Sequence, residues 1–132
     1  MGLTQSINKI NCISMQNIIN DKTKYLIINT LTLDNQNCLI KNTVQANTEV
    51  ELLNNYLKEN NKVNIVIYGE NSCDHNVVNK YNQLYKLGFN NLYVYVGGLF
   101  EWLLLQDIYG DDEFPTTSKI LDILKYKGKS II

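Results

Sequence analysis

The chain has 132 residues, of which 45% are hydrophobic and 19% charged, and its formal net charge is −1. This length and apolar content predict one domain with a three-layer α/β core. The near-neutral charge, with lysines dispersed along the chain, excludes a general nucleic-acid-binding surface.

Cysteine and histidine usage limits the chemistry further. The three cysteines show no CxxC spacing, and there is a single histidine, which argues against disulfides and against a zinc site. We therefore expect no metal, no cofactor and a reducing, cytoplasmic setting. The abundance of Asn, Ile, Lys and Tyr, without any Arg, indicates an AT-rich genome, as in large DNA viruses, and says little about function.

The amino terminus carries a lipidation pattern. Residues 1–6 read MGLTQS, which fits the M-G-x-x-x-[ST] pattern of N-myristoylation once the initiator is removed. The chain has no run of about 20 apolar residues that would cross a bilayer. The pattern predicts a flexible arm over residues 1–11, acylated at Gly2, that makes peripheral membrane contact ahead of a domain at residues 12–132. The alternative is a plain disordered tail.

The first half of the chain predicts two helices and two strands. An apolar run from Ile13 to Asn20 predicts a short helix, and Tyr25 to Ile28 is the first clear strand. Leu39-Ile40 predicts a further short strand. A capping box that begins at Thr48 predicts the start of the second helix, which runs to about Leu57.

The stretch from Val63 to Trp102 predicts a strand–helix–strand–turn–helix unit. Residues 63–68 and 92–96 are short, β-branched apolar runs, typical of strands buried in a parallel sheet. Between them apolar residues at i, i+4, i+7 and i+8 form one face of a helix that Gly88 would end: Val77, Tyr81, Leu84 and Tyr85. The loop Gly69 to His75 therefore follows a strand and precedes a helix, where open α/β sheets bind ligands.

This unit resembles the second half of a rhodanese domain. In that family a strand ending in Tyr-Cys leads into a six-residue active-site loop and a helix, then Gly-Phe, a strand, and a Gly-Gly turn before Trp. Here Gly88-Phe89, residues 92–96, Gly97-Gly98 and Trp102 follow that order. Residues 25–29 and 39–43 resemble parts of the first half. The resemblance implies a rhodanese-like α/β fold: a central, mainly parallel five-stranded sheet with helices on both faces.

The resemblance places the family's catalytic cysteine at Gly69, so the expected nucleophile is missing. The rest of the active-site loop consists of Glu70, Asn71, Ser72, Cys73, Asp74 and His75. A rhodanese thiolate that takes up a sulfane sulfur needs N–H groups and positive charge around it, whereas this loop offers two carboxylates and no lysine. These differences predict a non-catalytic binding or scaffold module with an unknown protein partner.

The alternative is a sulfurtransferase or phosphatase-like enzyme that uses Cys73 in the same loop. The dipole of the following helix would stabilise a thiolate there, and His75 would serve as a base or cation. The neighbouring Asp74 opposes this role, because its charge disfavours an anionic sulfur. In a purely structural interpretation, Cys73 is a small packed residue and Asp74 is the helix N-cap.

The last third of the chain predicts two more helices. Leu99 to Leu105 is apolar nearly all round, so that helix should pack on several sides with Trp102 in the core. Residues 116–127 predict a closing helix whose inward residues are Ile120, Leu121 and Leu124. The predicted core consists of Ile27, Ile65, Ile67, Leu84, Phe89, Val94, Trp102 and Leu103.

Overall fold

The strands of the computed structural model, which describes residues 7–21 and 25–128, all run parallel in one sheet. They are β1 (Lys9–Ile10), β2 (Tyr25–Asn29), β3 (Asn64–Tyr68) and β4 (Leu92–Tyr95), in the order β1-β4-β3-β2. The α-helices are α1 (Cys12–Ile19), α2 (Ala46–Glu59), α3 (His75–Leu87) and α4 (Gly98–Tyr109). Short 3-10 helices lie at Leu33–Asn35 and Ile123–Tyr126.

Side chains alternate along β2, β3 and β4 between two apolar cores, as the pleat requires. Ile65 and Ile67 face the core that contains α2 and α3, whereas Val66 and Tyr68 face the core that contains α1 and α4. Each predicted core residue is at most 7% exposed: Ile27, Ile65, Ile67, Leu84, Phe89, Val94, Trp102 and Leu103. The predicted core and the three-layer α/β fold are confirmed.

The sheet has four strands within the described residues, where the resemblance implies five. The predicted strand at Leu39–Ile40 forms only an isolated antiparallel bridge between Ile40 and Thr116. Side chains take the place of strand partners here, because the Leu39 N–H donates to Thr117 Oγ1 at 3.0 Å and the Ile40 N–H donates to Tyr68 Oη at 3.1 Å. A segment bonded in this way cannot extend a regular ladder.

The amino-terminal residues enter the sheet earlier than the sequence suggests. The predicted arm runs through residue 11, whereas Lys9 and Ile10 form β1 at the edge of the sheet. The Asn8 side chain also donates to the Leu92 carbonyl at 3.2 Å. A two-residue strand is too short to show a period of two, so its pattern could not be read. Residues 1–6, including Gly2, lie outside the described residues, and the arm stays a prediction for them.

The start of α2 differs from its predicted cap. The helix begins at Ala46, with Gln45 as N-cap residue, and Thr48 lies within the first turn. The Thr48 hydroxyl donates back to the Gln45 carbonyl at 3.1 Å and so does not cap the helix. None of the helices in residues 7–21 and 25–128 is both long and apolar enough to span a bilayer.

The predicted closing helix at residues 116–127 is wrong. Residues 116–128, here called the C-terminal strap, run instead along the segment that follows the first 3-10 helix. The Thr117 N–H donates to the Leu39 carbonyl at 2.8 Å, and the Ser118 hydroxyl donates to the Asn37 carbonyl at 2.7 Å. These bonds replace helical ones, and Leu121, which a helix would bury, is 92% exposed.

Candidate functional site

The β3–α3 loop (Gly69–His75) lies at the carboxyl edge of the sheet and is held from behind by α4. The Leu99 N–H, in the first turn of α4, donates to the Gly69 carbonyl at 2.9 Å. Gly98 has φ of +68°, and a Cβ added there would lie 2.7 Å from the Gly69 carbonyl oxygen. Because Gly98 has no Cβ, α4 can approach the loop more closely than it could with any other residue at this position.

The Asp74 carboxylate accepts three hydrogen bonds from the loop and its surroundings. Its Oδ2 accepts hydrogen bonds from the Glu70 N–H and from Thr30 Oγ1, both at 3.1 Å, and its Oδ1 accepts from the Asn76 N–H at 2.9 Å. Asp74 is thus the N-cap of α3, as the structural interpretation of the sequence has it. A negative charge is therefore already present where loop and helix N–H groups would otherwise hold a bound anion.

The same side chain fills the space beside Gly69, which is itself buried. A Cβ added to Gly69 would collide with Asp74 Oδ2 and would lie 2.6 Å from Val77 Cγ2 and 2.9 Å from Asp74 Cβ. The cysteine that the rhodanese resemblance expects at this position would therefore require Asp74 to move. The residue type at position 69 and the position of the Asp74 carboxylate are therefore structurally coupled.

Cys73 and His75, the two candidate catalytic residues, both lie at the surface. The Cys73 thiol is exposed, its sulfur lies 4.0 Å from Ser72 Oγ, and its backbone N–H donates to Asn71 Oδ1 at 2.8 Å. His75 is exposed at the first residue of α3. Among the described residues, no hydrogen bond joins the Cys73 thiol to His75.

The C-terminal strap covers one side of the loop, which the sequence did not suggest because that segment was expected to be helical. Asn71 Nδ2 donates to the Tyr126 carbonyl at 2.9 Å, and a Cβ added to Gly128 would lie 3.8 Å from Cys73 Sγ. The Tyr126 side chain is fully buried, and the Lys125 ammonium lies 5.4 Å from the centroid of its ring. The strap thus fixes the outer face of the loop.

Glu70 brings a second carboxylate to the loop. Partial burial raises the pKa of Glu70, the negative charge of Asp74 raises it further, and Lys125 acts in the opposite direction. The neutral form is therefore favoured relative to a free glutamate. An incoming anion would meet two carboxylates at this edge of the sheet.

A cleft of about 500 Å³ opens beside the loop, between the end of β2, the start of α2 and one side of α3. Its walls consist mainly of uncharged polar side chains, among them Asn29, Thr30, Gln36, Asn76, Asn79 and Gln83. Glu49, which is 8% exposed, pairs there with Lys80. The sequence did not single out this cleft, because asparagines and glutamines occur throughout the chain and carry no pattern.

Comparison with known proteins agrees with the resemblance seen in the sequence. The family model described as the Rhodanese-like domain matches residues 19–105. No curated protein matches the chain significantly. Several solved structures are similar to it, although their low sequence identity means that the likeness concerns the fold alone.

Three of these structures cover most of the chain. Ygr203w, a yeast protein tyrosine phosphatase of the Rhodanese family, has 17% identity and a TM-score of 0.62, over 92% of this chain and 99% of that one. The rhodanese-like domain of Anabaena sp. Alr3790 has 17% identity and a TM-score of 0.60, and the match covers 96% of this chain and 90% of that one. The Saccharomyces cerevisiae single-domain sulfurtransferase RDL2 has 16% identity and a TM-score of 0.55, and the match covers 86% of this chain and 99% of that one. Because the family model matches more than half of its residues, the chain belongs to the family of rhodanese-like domains.

Proposed function

We propose that this rhodanese-like domain is a non-catalytic binding or scaffold module. The Asp74 carboxylate carries the proposal, since it accepts the N–H groups of Glu70 and Asn76 and fills the space beside Gly69. A sulfurtransferase or phosphatase needs that space for a thiolate and an anionic substrate, with hydrogen-bond donors aimed at them. Here the Asp74 carboxylate fills that space and accepts the hydrogen bonds of those donors.

The size of the electrostatic penalty supports the same conclusion. Two unit charges about 4 Å apart repel each other by about 4 kcal/mol at an effective dielectric constant of about 20. That energy corresponds to roughly a thousandfold loss of anion affinity. The Asp74 charge therefore opposes the binding of thiosulfate or a phosphate ester in the loop.

The proposal is tested by measuring turnover. Cyanide-dependent thiocyanate production from thiosulfate and hydrolysis of an aryl phosphate are assayed for wild type, Cys73→Ser and Cys12→Ser. Cys12 is a half-buried cysteine outside the loop and serves as the matched control. We expect no turnover above background in any of the three proteins. Turnover that Cys73→Ser abolishes and Cys12→Ser retains would contradict the proposal.

The second candidate is a sulfurtransferase or phosphatase-like enzyme that uses Cys73. The exposure of this thiol at the edge of the loop favours it, because a substrate can reach the sulfur. The names of two structural neighbours, a protein tyrosine phosphatase and a sulfurtransferase, indicate the reactions to assay. We rank this candidate lower because two carboxylates, Glu70 and Asp74, flank the position at which a substrate anion would sit.

We also propose that Gly2 is myristoylated and that the domain is cytoplasmic, with reversible attachment to membranes. The motif at residues 1–6 supports this, and Gly2 precedes Ile7, the first described residue, by five positions. Five residues can span at most about 17 Å, which sets the reach available to a lipid on Gly2. One myristoyl chain binds membranes only marginally, and the exposed Lys9 adds about 1 kcal/mol on an anionic leaflet.

A further inference from the structure

We propose that the cleft between β2, α2 and α3 binds an extended, uncharged peptide segment of a partner protein. This inference rests on the proposed binding role and names the site that performs it. The cleft volume of about 500 Å³ lies within the range of about 300 to 1,000 Å³ that is typical of ligand sites. The cleft also borders the β3–α3 loop, because Thr30 lines it and donates to Asp74.

One wall of the cleft is a row of amide side chains on α3. Asn76, Asn79 and Gln83 lie at i, i+3 and i+7, which places them on one face of the helix. All three are exposed, and none of their side chains bonds to another of the described residues. An amide side chain carries both a donor and an acceptor, which is the combination that a peptide group requires of its partner.

The length of this row suits an extended chain. Asn76 and Gln83 are seven residues apart, which corresponds to about 10.5 Å along a helix that rises about 1.5 Å per residue. Three residues of extended peptide span about 10 Å. In an extended chain the N–H of one residue and the C=O of the second residue after it point to the same side, so the first and last amides of the row can bond to these two groups of one bound strand.

The opposite wall is already ordered. Gln36 Nε2 donates to Asn29 Oδ1 at 2.8 Å, and Asn29 Nδ2 donates to Gln36 Oε1 at 3.3 Å. Little side-chain entropy would be lost there on binding. Leu33, which also lines the cleft, is 83% exposed and offers an apolar contact to a ligand side chain.

The charges of the cleft select against ionic ligands. Among the described residues that line it, the charged side chains are those of Glu49 and Lys80, and they pair with each other. An anionic ligand would have to compete with Glu49 for the partly buried ammonium, leaving a carboxylate unpaired. The described lining residues also include no aromatic ring on which a nucleobase would stack. A neutral peptide fits these conditions.

The test uses random dodecapeptides displayed on phage and selected on the full-length wild-type chain. An enriched peptide is synthesised, and its dissociation constant is measured for wild type, Asn79→Arg and Asn82→Arg. Asn79 lines the cleft, whereas Asn82 is exposed on the same helix outside it. We expect Asn79→Arg to weaken binding at least about tenfold and Asn82→Arg to change it less than about twofold. Gln83→Arg replaces Asn79→Arg if the latter unfolds.

Several outcomes would overturn the cleft proposal: no enriched sequence, equal loss in both variants, or no loss in Asn79→Arg. Binding of maltohexaose at these amides, without any peptide binding, would also overturn it. The turnover assays are independent of this result. If the phage selection fails and no turnover is detected, only the cleft proposal is contradicted. If a peptide binds and turnover depends on Cys73, only the non-catalytic assignment is contradicted.

Discussion

The Asp74 carboxylate occupies the volume that a side chain on Gly69 would need. The relationship is reciprocal, because Asp74 can turn toward the Glu70 N–H only while position 69 has no Cβ. The absence of a side chain at position 69 and the closure of the loop over the Asp74 carboxylate therefore depend on each other. We therefore predict that a cysteine introduced alone at position 69 leaves thiosulfate turnover at background.

Gly69→Cys should destabilise the protein. The new Cβ would collide with Asp74 and Val77, and overpacking of this kind costs about 1 to 3 kcal/mol. Urea denaturation followed by circular dichroism gives the free energy of unfolding. Gly128→Ser is the control, because a serine is close to a cysteine in size and the atoms nearest to a Cβ there lie at 3.8 Å. Equal stability of both variants and wild type would show that the space beside Gly69 is not filled.

Glu70→Gln should stabilise the protein at neutral pH. Burial and Asp74 raise the folded-state pKa of Glu70 above its ordinary value of 4.5. The stability linked to this group is therefore fully present below pH 4.5 and is lost as the pH rises through the raised pKa. We expect a higher melting temperature for Glu70→Gln than for wild type at pH 7.5, and a difference that shrinks toward pH 4.

The matched control for this titration is Glu51→Gln, an exposed glutamate within α2. Its melting temperature should follow that of wild type across the same pH range. A Glu70→Gln variant less stable than wild type at pH 7.5 would mean that ionised Glu70 is favoured in the folded loop.

Trp102→Ala should cost about 3 to 5 kcal/mol of stability. Trp102 is fully buried and packs edge-on against Tyr95 and Phe114, with ring centroids 5.8 and 5.0 Å away. Its Nε1 also donates to the Pro115 carbonyl at 3.0 Å. Trp102→Phe should lose less, because it retains most of the apolar contacts. A loss below about 1 kcal/mol for Trp102→Ala would be incompatible with a buried side chain.

Myristoylation of Gly2 should be detectable in eukaryotic cells. We expect wild type to incorporate labelled myristate and to partition between cytosol and membranes, because a single acyl chain holds only weakly. Gly2→Ala should lose the label and the membrane fraction, while Leu3→Ala should keep both. Absence of label in wild type, or an unchanged membrane fraction in Gly2→Ala, would end the anchoring proposal.

Sequence patterns predicted the part of the fold whose residues repeat regularly. The β-branched runs of β3 and β4 and the i, i+4, i+7 face of α3 led to the correct βαβ unit, and Gly88 ends α3 with φ of +120°. The two-residue β1 was too short to read. The C-terminal strap was misread, because its spacing of Ile120, Leu121 and Leu124 imitates a helix, while hydrogen bonds to residues 37–40 decide its path.

The position of the β3–α3 loop was predictable from the sequence, whereas its side-chain contacts were not. The order of strand, loop, helix and Gly-Gly turn located the loop and placed Gly69 where a cysteine is expected. Asp74 could be recognised as a helix cap from its position alone. That its carboxylate fills the space beside Gly69 depends on a side-chain direction and on the Thr30 hydroxyl, 44 positions earlier in the chain. Contacts of that range leave no local pattern in the sequence.

Titration of thiosulfate into ¹⁵N-labelled protein tests whether Asp74 occupies the anion site of the loop. The amide signals of Glu70 and Asn76 should stay in place in wild type, because both N–H groups are bonded to the Asp74 carboxylate. In Asp74→Ala, which should lose about 0.5 to 2 kcal/mol of stability with its helix cap, the same two signals should shift and saturate. Saturable shifts of both signals in wild type, with an affinity equal to that of Asp74→Ala, would contradict a loop closed by its own carboxylate.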